Sequence, residues 1–84
     1  MTDTQTTIRD YIVEMVLFGN EEEAPDLDAS FFELKLIDST GVLELVMFLE
    51  TTFAIEVADD ELVPDNLDSV RKIASYVERK KKSG

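Results

Sequence analysis

Apolar residues recur at three- and four-residue steps in three stretches of the chain, each the mark of a helix with one buried face. Ile8, Tyr11, Ile12, Met15 and Phe18 predict a first helix from about Asp3 to Phe18, stopped by Gly19-Asn20. Val42, Leu45, Val46, Leu49 and Phe53 predict a second from about Ser39 to Thr52. Val70, Ile73, Ala74 and Val77 predict a last helix, opened by Leu67-Asp68-Ser69 and running to about Lys80. A short third helix is expected at Asp59-Asp60-Glu61-Leu62-Val63, where acids suit a first turn and Pro64 disfavours continuation; Asp65-Asn66 then reads as a turn. Residues 82–84 are expected to fray.

Residues 20–38 form a long connection, which compact domains keep only when it is ordered or functional. Ser30-Phe31-Phe32-Glu33 has capping-box spacing and predicts one helical turn. Phe31, Phe32, Leu34, Leu36 and Ile37 are too apolar for a solvated loop, so several should plug the core. Phe53 to Val57 alternates in polarity but has no partner strand. The expected fold is therefore all-α: a small four-helix bundle with three principal helices, a short third helix and a long first loop. At 84 residues the chain holds one domain, spanning residues 1–84.

Composition narrows the chemistry. The chain has neither cysteine nor histidine, which excludes disulfides, Cys/His metal sites and a Ser-His or Cys-His nucleophile pair. Net charge is -11, and 17 acids against the single base Lys35 lie between Asp10 and Asp68. Such a surface repels nucleic acid and anionic lipid and steers basic partners toward it; it also serves simple solubility. Six of the eight bases fall in the last fourteen residues, where they complement the carboxyl end of the last helix. No stretch has the length of a membrane span or the layout of a signal peptide, so a soluble cytoplasmic protein is expected.

Candidate sites are few. Acidic runs such as Glu21-Glu22-Glu23 read as solvated faces, and a chain this small has little material for a desolvated acid–base pocket; no enzyme is expected. Asp26-Leu27-Asp28-Ala29-Ser30 imitates the start of a calcium loop, but Phe31 and Ile37 stand where the turn glycine and bidentate glutamate belong, so no metal is expected. Ser39 is the residue of interest. Asp38, Ser39 and Thr40 are all N-cap types, and Ser39 as the cap is the plain structural reading. If Asp38 caps instead, the Ser39 hydroxyl faces solvent beside open helix-start amides, a favourable setting for a phosphate ester.

Leu36-Ile37-Asp38-Ser39-Thr40-Gly41-Val42-Leu43-Glu44-Leu45-Val46 resembles the signature around the modified serine of acyl carrier proteins. Leu49-Glu50 with Phe53-Ala54-Ile55-Glu56-Val57, and Asn66-Leu67-Asp68-Ser69-Val70, resemble later passages of that family. Thr40 departs from the usual leucine, and Gly41 from a frequent acid, so the resemblance is to a discrete carrier other than the standard fatty-acid type. Gly41 costs helix stability and suggests close approach of a partner or arm.

The resemblance implies 4′-phosphopantetheine, delivered from coenzyme A to Ser39 by a phosphopantetheinyl transferase. Its thiol would hold an acyl or aminoacyl group as a thioester, in fatty acid or polyketide biosynthesis or a related pathway. A monomer would meet an acyl- or aminoacyl-activating ligase and downstream acyl-processing enzymes. Asp38, Thr40, Glu44, Met47, Glu50, Asp59 and Asp60 are the implied partner-binding residues. A seam lined by Val46, Met47, Ile55 and Leu62 is the expected place for an acyl chain. The rival reading is an unmodified acidic helical interaction module in which Ser39 is only a cap.

Overall fold

Helix α1, Asp3–Met15, begins with a reciprocal cap: Thr2 Oγ1 accepts the Gln5 N–H at 3.1 Å, and Gln5 Oε1 accepts the Thr2 N–H at 3.0 Å. The computed structural model describes residues 2–83, and its elements after α1 are α2 (Ser39–Phe53), α3 (Pro64–Leu67) and α4 (Val70–Ser83). Single 3-10 turns stand at Glu21–Glu23 and Asp59–Glu61. The described residues contain no strand, and no helix among them is long and apolar enough to cross a membrane.

The core gathers on α4. Val70, Ile73, Ala74, Tyr76 and Val77 are buried, and α1, α2 and α3 all pack against this helix. Ile8 and Ile12 enter from α1, and Leu45 and Leu49 from α2. Tyr11 stacks on Phe48 with ring centroids 4.1 Å apart, and Phe48 meets Phe53 edge-on at 6.3 Å, which ties α1 to α2.

Three boundaries differ from the periodicity. α1 ends at Met15, because the chain turns through left-handed Phe18 (φ 54°) and Gly19 (φ 85°), and the Gly19 N–H donates to the Val13 carbonyl. Phe18, expected on the buried face, is carried out to 91% exposure. The third helix begins at Pro64 instead of stopping before it. Proline lacks only an N–H that a first helical residue has no use for, and the helix uses Asp65 and Asn66, expected as a turn. The acids Asp59 to Glu61 form the separate 3-10 turn. α4 continues to Ser83, so Lys82 and Ser83 are helical where frayed chain was expected; Gly84 lies outside the described residues.

The long first connection is stitched down. Phe31 is fully buried, Ile37 nearly so and Leu36 partly, whereas Phe32 and Leu34 stay exposed. Ser30 Oγ accepts the Glu33 N–H, forming the expected turn, and donates to Asp68 Oδ2 at 2.6 Å. Asp68 Oδ1 accepts the Phe32 N–H, and the Asp68 carbonyl accepts the Phe31 N–H. Ser69 caps α4 by accepting the Lys72 N–H, which leaves the Asp68 carboxylate for the loop. Arg71 completes the stitching through the Leu27 carbonyl and the Asp28 carboxylate.

Glu61 fastens the 59–61 turn to α4. Its Oε1 accepts from the Ala58 N–H, Tyr76 Oη and Lys80 Nζ at 2.9–3.0 Å. These donors, the Ala58 N–H foremost and Lys80 next, hold its carboxyl down to about 2. Burial, with the Glu61 carboxylate second, pushes the Tyr76 phenol up. Because the folded carboxyl is the stronger acid, its contribution is complete above the ordinary value of 4.5 and is lost as pH falls toward 2. Glu61→Gln is expected to flatten the fall in melting temperature across that window. An unchanged slope would show that the three bonds do not favour the charged form.

Candidate functional site

The decision about the N-cap shapes the start of α2. Asp38 is extended (φ -105°, ψ -171°), and its carboxylate accepts the Gly41 N–H at 2.8 Å. Its carbonyl accepts the Val42 N–H, so Asp38 is the cap. Ser39 is thereby the first helical residue and exposed. The N–H groups of Ser39 and Thr40 lie in the first turn, where no intrahelical carbonyl reaches them and the helix dipole is positive.

Gly41 serves the chain's own packing. A Cβ here would stand 3.1 Å from Ile37 Cγ2 and 3.4 Å from Asp38 Oδ1. Its absence lets buried Ile37 seat against the helix start directly under the cap. The close approach expected for a partner or arm is thus already made by Ile37.

Between the end of α1 and the start of α2 opens a shallow groove of about 300 Å³, with Ser39 outside its lining. Met15 and Val16 form its α1 wall, Lys35 and Leu36 come from the loop, and Asp38, Thr40, Gly41 and Glu44 from α2. Burial first, and the Glu44 carboxylate second, push the Tyr11 phenol up.

Thr40, Glu44 and Met47 are exposed along α2, and Asp59 and Asp60 are exposed on their 3-10 turn, as a partner surface requires. Glu50 is different. It is half-buried, and its Oε2 accepts the Val57 N–H at 3.0 Å, closing the turn that left-handed Ala54 starts. The resemblance implied a partner-binding role for Glu50; the returning chain that half-buries it is invisible in periodicity. The four seam residues are spread across environments: Ile55 is buried, Val46 and Leu62 half-buried, and Met47 is 66% exposed. Met47 therefore sits on the surface.

The sequence model of a family described as a phosphopantetheine attachment site matches residues 7–77. The chain belongs to the acyl carrier protein family. It is 34% identical over 76 residues to the acyl carrier protein of Bdellovibrio bacteriovorus, covering 90% of this chain and 92% of the relative. It is 36% identical over 78 residues to acyl carrier protein 2 of Pseudomonas aeruginosa, covering 93% and 94%. It is 42% identical over 60 residues to that of Exiguobacterium sibiricum, covering 71% and 73%.

Acyl carrier proteins are carriers, not enzymes, and their cofactor is covalently attached 4′-phosphopantetheine. Such a carrier works with a phosphopantetheinyl transferase and with acyl-processing enzymes. The start of α2 suits a phosphodiester: an exposed hydroxyl stands beside two open N–H groups at the positive end of a 15-residue helix. Among the described residues, no cluster of Asp or Glu could hold a metal ion.

Proposed function

We propose that Ser39 is the attachment point and that the chain holds an acyl or aminoacyl group there as a thioester for presentation to partner enzymes. The observation that carries this reading is the cap at Asp38, whose carboxylate takes the Gly41 N–H and leaves the Ser39 hydroxyl exposed. Ser39 Oγ supplies the ester oxygen, and the Ser39 and Thr40 N–H groups with the helix dipole stabilise the resulting negative charge. When bound, the group supplies the thiol that a cysteine-free chain lacks. Residues 1–84 act as one domain, as a monomer, in the cytoplasm, loaded by an acyl- or aminoacyl-activating ligase. Peptide mapping after treatment with coenzyme A and a transferase tests the site. The group is expected on Ser39; its appearance on Thr40 or another hydroxyl would refute the assignment.

Partners are met through the acidic face of α2 and the 59–60 turn. Individual exposed ion pairs are worth about 0–1 kcal/mol, which suits a carrier that releases each partner. The summed field instead raises the encounter rate. Glu44→Lys is expected to slow modification while leaving the melting temperature unchanged, and added salt should slow the wild-type chain in the same way. Glu50→Lys is expected to cost about 1–3 kcal/mol by orphaning the Val57 N–H. Equal stability of the two variants would contradict the division of roles drawn here.

A further inference from the structure

We propose that Phe18 is a docking anchor for the phosphopantetheinyl transferase, its ring seated in an apolar pocket of that enzyme with a basic rim. The inference rests on the assignment of Ser39, and it extends the partner surface from α2 to the end of α1.

The fold itself gains nothing from this ring. Phe18 is 91% exposed, the most exposed large apolar side chain among the described residues. Its backbone is left-handed (φ 54°), a conformation in which a bulky residue is an outlier. Asparagine or glycine would make the same turn at less cost, as Gly19 does at the next position. An aromatic ring held in water in an unfavourable conformation is accounted for by a binding role and not by packing.

The ring also adjoins the partner face. Met15 is 60% exposed and lines the α1–α2 groove together with Thr40 and Glu44. Thr40 and Glu44 are exposed members of the α2 face, so the groove joins that face to the end of α1. Phe18 follows three residues after Met15 and lies within about 11 Å of it. A standard footprint of about 800 Å² is roughly 32 Å across, against 35 × 26 × 20 Å for the whole chain. The transferase acts on Ser39 Oγ itself and must close over the start of α2. Acyl-processing enzymes work at the thiol, at the far end of the arm, and need not.

Charge selects the occupant. Between Arg9 and Lys35 the chain has eight acids and no base, and Glu14, Glu22 and Glu23 are exposed on either side of Phe18 in the sequence. A second copy, also at net charge -11, would set carboxylates against carboxylates, and an anionic membrane is repelled in the same way. An apolar pocket bordered by lysine or arginine satisfies the ring and the acids together.

The experiment follows transfer from coenzyme A to the full chain by its own transferase, with initial rates read by intact mass and the site by peptide mapping. Phe18→Asn, which suits the left-handed turn, should keep the wild-type melting temperature or raise it. It should raise KM at least about tenfold with kcat within about twofold, the pattern of a lost contact that acts equally before and during the reaction. Phe18→Tyr, which keeps the ring, should restore KM. The ratio of mutant to wild-type KM should persist at about 0.5 M salt, because salt screens the acids and not the burial of a ring. Modification on Ser39 with KM within twofold of wild type in Phe18→Asn overturns the anchor and leaves the attachment site standing. A wild-type dimer in sedimentation, or binding to phosphatidylcholine vesicles, that Phe18→Asn abolishes also overturns it, by showing a different occupant. Modification at another residue overturns both readings.

Discussion

Ser39→Ala is expected to abolish attachment of phosphopantetheine and to leave the fold in place. The intact mass of the variant, after exposure to coenzyme A and a transferase that fully converts the wild type, should be that of the unmodified chain. Stability should change by about 0.5 kcal/mol or less, because Ser39 is exposed and the cap belongs to Asp38. The conjunction separates roles: a serine that mattered as a cap would cost more, typically about 1 kcal/mol, without bearing on modification. Thr40 offers a neighbouring hydroxyl one residue along the helix. A mass gain in Ser39→Ala would show that the transferase uses Thr40 or another site.

Phe31→Ala is expected to have the largest effect on folding of any substitution in the first loop. The ring is fully buried among residues of α1, α2 and α4. Truncating a buried phenylalanine costs about 3–5 kcal/mol through lost transfer energy and the cavity left behind. A domain of 84 residues has about 4–13 kcal/mol in all. The melting temperature should fall by at least about 12 °C, read by circular dichroism at 222 nm or by urea unfolding. A fall of less than about 4 °C would mean that the loop rests on the core without completing it.

The helices whose apolar spacing was regular were the most legible, α2 almost to the residue and α4 at its start, because each presents a continuous stripe to the core; the end of α4 runs on to Ser83, past the apolar stripe that marked it. The start of α2 was legible as chemistry too, since Asp38, Ser39 and Thr40 announced a cap next to a hydroxyl. Three things were hidden, for different reasons. Phe18 continued the α1 spacing, but periodicity says nothing about where the backbone turns left-handed. Pro64 carries two meanings, last residue before a stop and first residue of a helix, and local sequence does not choose between them. The Asp68 contacts with Ser30 and Phe32 span nearly forty residues, and Glu50 with Val57 depends on the chain doubling back. Such pairings exist only after packing.

The stitching of the first connection divides it into halves with different tolerance for change. From Leu27 onward the backbone is committed at Leu27, Phe31 and Phe32 to the α3–α4 junction, and at Ile37 to the seat under Gly41. Lengthening that half by one residue would pull Phe31 or Ile37 out of register. The stretch from Asn20 to Asp26 is polar at its surface, and its backbone bonds stay within a few residues. Closing a longer loop there costs only about 0.6 kcal/mol for each doubling of length. Extra sequence, such as an epitope, a fluorophore site or a linker to another carrier, therefore belongs between Asn20 and Asp26, where it leaves Ser39 and its surroundings as they are.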